Sequence, residues 1–123
     1  MIWYLYGDPR LSEPAKECIE AIFSRGEQVG VSAITLVEFV YLEEKGRITL
    51  GTGSRFLALS ESEPARFVVI AIDSHLIPAL QRVPRDEVPD MPDRLIAACA
   101  LQLNVPVISR DRKIVTSSIQ SIW

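Results

Sequence analysis

Residues 29–45 read VGVSAITLVEFVYLEEK, and this stretch decides the fold because a short apolar run passes directly into an apolar helix. Residues 29–33 are small and apolar, which predicts a buried strand. Ser32 or Thr35 can cap the helix that follows, and Gly46 stops it. The stretch therefore predicts a strand that leads straight into a helix.

Glu38 is the anomaly of this predicted helix. Apolar residues surround it on nearly all sides, so the helix should be mostly buried. Burying an unpaired carboxylate is costly, and Glu38 therefore needs a basic partner or a cation. Two interpretations stay open. Glu38 either lies at the rim of the fold and pairs with Lys or Arg, or it binds a cation in a functional site.

Outward from this stretch, helices continue to alternate with apolar strands. Residues 2–6 are predicted to end a first helix, and a second helix runs from Ser12 to Arg25-Gly26. A turn at 47–53 precedes a short helix at 54–59, and a further helix lies near 76–83. After a loop at 84–92, the last predicted helix is capped by Asp93 and closed by Asn104. The further predicted strands are 66–72, 105–109 and an edge strand at 119–123. This order predicts an α/β fold in which helices sandwich a parallel sheet, as a single domain of residues 1–123.

Three further acidic residues lie where such a sheet collects functional groups, near the carboxyl ends of its strands. Asp93 follows Pro92 at the predicted start of a helix, where a plain capping role is the alternative. Asp90 lies three residues earlier, with an ordinary loop position as its alternative. Asp111 follows the strand at 105–109, where a turn residue is the alternative.

Glu38, Asp93 and Asp111 matter as a set. Carboxylate oxygens are ligands that Mg²⁺ prefers, and clustered carboxylates repel one another unless a cation lies among them. We therefore expect the three carboxyl groups to converge at the carboxyl edge of the sheet, where a metal can activate water and stabilise charge on a phosphodiester. Basic residues near the acids are candidates for contacts with RNA phosphates, solvated surface charge being the alternative. These are Arg82, Arg85, Arg94, Arg110, Arg112 and Lys113, of which Arg94, Arg110 and Arg112 are the chosen candidates.

The composition excludes several function classes. The net charge of -3 gives no overall attraction to nucleic acid, so RNA would bind at a local basic patch. Cys18 and Cys99 lie inside apolar patterns, which predicts buried free thiols, although a disulfide stays open. Neither a zinc pattern nor a Ser-His-Asp motif occurs. The apolar runs are far shorter than a membrane span and the first residues lack signal-peptide features, so the expected location is the cytoplasm.

Several motifs in order along the chain resemble the PIN-domain ribonucleases that act as toxins of VapC type. They are Gly7-Asp8-Pro9-Arg10-Leu11-Ser12, Val31-Ser32-Ala33-Ile34-Thr35-Leu36-Val37-Glu38, Glu44-Lys45-Gly46-Arg47-Ile48, Asp90-Met91-Pro92-Asp93-Arg94-Leu95-Ile96-Ala97-Ala98 and Val107-Ile108-Ser109-Arg110-Asp111. Each motif alone is weak, and their order and spacing over nearly the whole chain make the resemblance fairly specific.

The resemblance implies a three-layer α/β/α fold with a parallel sheet, and an endoribonuclease that depends on Mg²⁺ or Mn²⁺. It implies a type II toxin that cleaves RNA by metal-activated water, is held in check by a cognate antitoxin and commonly forms a homodimer. Glu38, Asp93 and Asp111 match the family's second, third and fourth acids. Asp90 matches an acid often found ahead of the third, and Thr35 a hydroxyl one turn before the glutamate. A partly exposed aromatic start, at Trp3, Tyr4 and Tyr6, also favours a homodimer.

The family begins with a strand that ends in an aspartate, whereas residues 1–6 resemble the helix that follows it. That first strand and its aspartate are therefore expected to lie before Met1, through a late-assigned start codon or a decayed gene, and the activity of residues 1–123 is expected to be impaired. Two alternatives follow. One is a truncated, non-catalytic PIN-like domain that binds the antitoxin or dimerises, and the other is an unrelated small α/β binding module.

Overall fold

The computed structural model describes residues 1–123, with the exception of the Ile2 side chain. It divides into two compact units, Met1–Ile70 and Ala71–Trp123. Each unit has its own helices and its own pair of parallel strands. The predicted α/β fold class with parallel strands is therefore confirmed, while the single domain of residues 1–123 stays a prediction. Within the described part of the chain, no helix has the length and apolar character to cross a membrane.

The first unit places a parallel strand pair among four helices. Its elements are α1 (Ile2–Leu5), α2 (Glu13–Ser24), β1 (Val29–Ser32), α3 (Ala33–Glu44), α4 (Thr52–Ser62) and β2 (Phe67–Ile70). In the register of the pair, Val29 lies opposite Phe67 and Ser32 opposite Ile70. Because the strands are parallel, their carboxyl ends share one edge, and α3 starts directly from that edge.

An aromatic cluster forms the core of the first unit. The Phe67 ring lies edge-on to the rings of Tyr4, Phe23 and Phe56, with centroid distances of 6.2, 5.3 and 5.8 Å. Phe56 is fully buried and Phe67 is 4% exposed. These contacts join three helices to the start of β2, so the cluster fixes how the strand pair lies against them.

Two helix starts in this unit show how local chemistry sets the elements. Ser12 caps α2 as predicted, since its hydroxyl accepts a hydrogen bond from Ala15 N at 3.3 Å. The predicted turn at 47–53 is too long, because α4 already begins at Thr52. Its cap comes from a distance in sequence: the Glu43 carboxylate accepts hydrogen bonds from Gly53 N at 2.8 Å and Gly51 N at 3.2 Å. These hydrogen bonds lower the pKa of Glu43.

The expectation that α3 is mostly buried is wrong. Ile34 and Phe39 are buried, but Val37, Val40 and Tyr41 are exposed by 48%, 51% and 59%. Positions three and four residues apart share one side of a helix, so the exposed residues form a continuous apolar strip. The helix packs with one side only, although its sequence is apolar nearly all round.

The second unit begins with a single 3₁₀ turn (Ser74–Leu76) that leads into α5. Its further elements are α5 (Ile77–Arg82), α6 (Met91–Leu103), β3 (Val107–Ile108), α7 (Arg112–Val115) and β4 (Ser121–Ile122). The strands β3 and β4 are parallel, and Val107 lies opposite Ser121. Both are shorter than predicted, and the short helix α7 was not predicted. Helix α6 ends as predicted at Asn104, which adopts the left-handed conformation with φ of 54°.

The core of the second unit is built on α6. This helix buries four consecutive small residues, from Ala97 to Ala100, and Val83, Val88 and Ile114 are buried in the same unit. Cys99 is one of the four. As predicted, Cys18 and Cys99 form no disulfide among the described residues, but Cys18 is only partly buried, whereas a buried thiol was expected. A helix that buries small residues lets neighbouring segments approach closely, and α5 packs against α6 in this way.

Candidate functional site

Helix α6 begins earlier than predicted, which changes the position of Asp93. The prediction that Asp93 caps this helix is wrong, because the capping position is Asp90 and the helix starts at Met91. Pro92 fits inside the first turn because it lacks an N–H group that would have no partner there. Asp93 is therefore a residue of the first turn, and its carboxylate is not a simple helix cap.

Asp111 lies at the carboxyl end of β3, as the sequence predicts. It is the capping residue of α7, and its Oδ1 accepts a hydrogen bond from Lys113 N at 2.8 Å. Its own N–H donates to the Ser109 hydroxyl at 3.0 Å. Two local hydrogen bonds thus fix the turn that presents this carboxylate at the end of the strand.

The second unit brings Asp90, Asp93 and Asp111 together around Lys113. Lys113 Nζ lies 2.6 Å from Asp90 Oδ2, and the hydrogen bond to Asp90 is the main cause that raises the pKa of Lys113. Burial, and then the negative charges of Asp111 and Asp90, raise the pKa of Asp93, while Lys113 lowers it. Asp111 and Asp90 therefore place negative charge near Asp93 in this acidic cluster, and Lys113 offsets part of it.

Glu38 and Thr35 lie in the first unit, on α3. Both side chains are half-buried, and they are one helical turn apart, so they share a side of the helix as predicted. The expected convergence of Glu38 with Asp93 and Asp111 stays a prediction, and so does its alternative as an ion-paired glutamate at the rim.

The donor set of the acidic cluster suits a hard divalent cation. Among the residues that the structure describes, no group of three or more histidine, cysteine, aspartate and glutamate side chains is arranged to hold a metal ion. Mg²⁺ usually takes one or two carboxylates and completes its shell with water and substrate phosphate oxygens. Asp93 and Asp111 fit that pattern, whereas Asp90 already pairs with Lys113.

The arginines chosen as RNA contacts differ in their surroundings. Arg110 and Arg112 are exposed, beside Asp111. The Arg94 Nη2 atom instead donates hydrogen bonds to the carbonyl oxygens of Leu80 at 3.2 Å and Val83 at 3.1 Å. Those carbonyls belong to the end of α5, where helical partners run out. Arg94 therefore ties the start of α6 to the end of α5.

We expect Arg94→Met to destabilise the protein by about 1.5–3 kcal/mol, because the hydrogen bonds from a charged donor to two carbonyls are lost while the apolar stem is kept. Urea denaturation measures the change, with Arg85→Met, an exposed loop arginine, as the control. If the two variants are equally stable and only Arg94→Met binds RNA more weakly, Arg94 contacts RNA and does not stabilise the fold.

We expect Asp93→Asn to raise the thermal unfolding midpoint at pH 7 in EDTA. The pKa of Asp93 is higher in the folded protein than its ordinary value of 3.8. The folded state therefore binds the proton more tightly, and stability falls as pH rises from that value through the raised pKa. The gain from Asn should shrink when the pH is lowered to about 3.8, where the unfolded carboxyl is half protonated. Asp86→Asn, in an exposed turn, is the control. If Asp93→Asn is less stable than wild type at pH 7 and Asp86→Asn is not, the neighbouring negative charges do not destabilise the Asp93 carboxylate.

A cleft of about 510 Å³ lies elsewhere, in the first unit. It is lined in part by Tyr4, Phe67, Arg55 and Arg66 and contains none of the predicted site residues. Arg66 pairs with Glu63 at 3.1 Å, and its guanidinium lies 5.1 Å from the centroid of the Phe23 ring. The Arg66 charge at this cleft is thus already engaged.

Comparison with known proteins agrees with the predicted α/β fold class. Searches of curated proteins and of solved structures gave no match. A family model described as PIN domain matches residues 1–116, which is nearly the whole chain. The chain belongs to the PIN domain family.

Proposed function

We propose that this protein is a metal-dependent endoribonuclease of VapC type, the toxin of a toxin–antitoxin pair. PIN domains are generally nucleases, and PIN nucleases typically use divalent metals. The observation that carries the proposal is the acidic cluster at the end of β3, where burial and the charges of Asp111 and Asp90 raise the pKa of Asp93. Crowded carboxylates of this kind are stabilised by a cation.

Asp93 and Asp111 are the residues that would hold the cation, and Glu38 is a further ligand by resemblance alone. When bound, Mg²⁺ or Mn²⁺ supplies activation of water and stabilisation of negative charge on a phosphodiester. The turn hydrogen bonds at Asp111 and the helical position of Asp93 limit how far either carboxylate moves, which suits catalysis by positioning. Arg110 and Arg112, which are exposed beside Asp111, are the residues that we propose to bind phosphates of the RNA backbone.

The partners follow from the same resemblance. We propose a cognate antitoxin as the regulator and a homodimer as the assembly. The exposed apolar strip of Val37, Val40 and Tyr41 supports a protein contact, because contiguous apolar surface on a folded protein often marks one. The same strip favours the second candidate function, a non-catalytic PIN-like domain that binds the antitoxin or dimerises.

An RNA cleavage assay separates the two functions. The protein is incubated with total bacterial RNA in Mg²⁺, in Mn²⁺ and in EDTA, and the fragments are mapped by primer extension. If the protein is a ribonuclease, we expect cleavage at defined sites, at the reduced rate already expected for residues 1–123, with either metal and none in EDTA. Cleavage that persists in EDTA contradicts the metal mechanism, and no cleavage by a folded, dimeric protein favours the non-catalytic domain.

A further inference from the structure

Lys113 holds a position among the carboxylates that a surface lysine does not usually have. Its backbone N–H donates to Asp111 Oδ1 at 2.8 Å, while its ammonium group lies 2.6 Å from Asp90 Oδ2. The side chain therefore reaches from the first turn of α7 back to the start of α6. Its charge also acts on both Asp93 and Asp111.

Asp90 shows that this contact is more than a chance surface pair. Aspartate at a helix cap normally accepts a hydrogen bond from an N–H in the first turn. Asp90 is the capping residue of α6, yet its side chain makes no capping hydrogen bond, and its Oδ2 binds Lys113 instead. Asp90 acts most strongly on Lys113, and the negative charges of Asp111 and Asp93 add further attraction.

We propose that Lys113 is a built-in counter-cation of the acidic cluster, which supplies positive charge when no divalent ion is bound and competes with that ion for the carboxylates. The inference rests on the proposed metal site at Asp93 and Asp111. It makes Lys113 a positioning residue that sets metal affinity and keeps the metal-free cluster from repelling itself apart.

Isothermal titration calorimetry of the full chain with MnCl₂ tests whether Lys113 competes with the divalent ion. Lys113→Gln should bind Mn²⁺ about five- to tenfold more tightly than wild type, because one unit of positive charge within a few ångströms of a divalent ion is removed at a partly screened site. Lys113→Arg keeps the charge and should stay within about twofold of wild type. The matched control is Arg112→Gln, which removes the same charge from the adjacent exposed residue and should also change the affinity less than about twofold.

Thermal unfolding gives a second readout that does not depend on activity. In EDTA, Lys113→Gln should unfold at a lower temperature than wild type, because the carboxylates lose their counter-charge. Saturating Mn²⁺ should remove this difference, because the ion supplies the missing positive charge, so the variant shows a larger metal-induced shift of the unfolding midpoint than either wild type or Arg112→Gln.

The outcomes separate this inference from the metal site itself. Equal or weaker Mn²⁺ binding by Lys113→Gln, or the same gain in Arg112→Gln, overturns the role of Lys113 while the site stands. Binding that survives Asp93→Asn unchanged, or no saturable binding by any variant, overturns the proposed site and the inference with it.

Discussion

Asp93→Asn is expected to lower the rate of Mn²⁺-dependent RNA cleavage by at least about 100-fold, since displacement of a catalytic group by about 1 Å can cost that much. The substitution keeps the size of the side chain and its place in the first turn of α6, but removes the charge that would hold the cation. Asp111→Asn should have an effect of the same order. Single-turnover cleavage of an oligoribonucleotide chosen from the mapped sites measures the rate.

Asp86→Asn is the matched control, because it makes the same chemical change in an exposed turn of the same unit. Its rate should stay within about twofold of wild type, as is usual for surface substitutions. Glu38→Gln tests the ligand that rests on resemblance, and it should also reduce cleavage strongly. Cleavage by Asp93→Asn at the wild-type rate contradicts the assignment of the acidic cluster as the catalytic site.

Phe56→Ala is expected to destabilise the protein by about 3–5 kcal/mol, the usual range for truncating a buried phenylalanine. Phe56 is fully buried, and its ring lies 5.8 Å from that of Phe67 at the start of β2. Removing it leaves a cavity beside the aromatic cluster. Since domains are stable by only about 5–15 kcal/mol, this one change removes a large share of the total.

Leu57→Ala is the neighbouring control, because Leu57 lies on the same helix and is 44% exposed. Its loss should be below about 1 kcal/mol, as for other substitutions away from the core. Urea denaturation followed by tryptophan fluorescence gives both values. Similar losses for the two variants would mean that the aromatic cluster does not organise the first unit.

The sequence predicted the elements well where a local signal ends or starts them. Ser12 caps α2, and Asn104 ends α6 in the left-handed conformation, because each residue type has a strong local preference. The start of α6 was placed wrongly because both Asp90 and Asp93 are good caps, and only packing decides between them. The exposure of one side of α3 was missed because an apolar sequence does not tell which side finds a neighbour.

For the site, sequence patterns could identify the carboxylates but not the basic residues that pair with them. Asp90, Asp93 and Asp111 were recognised from their places near a helix start and a strand end, and the structure brings them together in the second unit. The distinct position of Lys113 was missed, since a lysine two residues after Asp111 resembles ordinary surface charge. Likewise, Arg94 was grouped with the RNA contacts. Its hydrogen bonds to the end of α5 depend on tertiary packing, which the sequence does not reveal.

The central claim is that Asp93 and Asp111 together hold a divalent cation. Crystals of the protein grown in MnCl₂, with data collected near the manganese absorption edge, test it most directly. We expect an anomalous difference peak with one carboxylate oxygen of each residue at about 2.1 Å, a distance usual for small divalent cations, and no such peak in Asp93→Asn crystals. A manganese peak elsewhere, or none at the acidic cluster in crystals of the wild-type chain, would contradict the account.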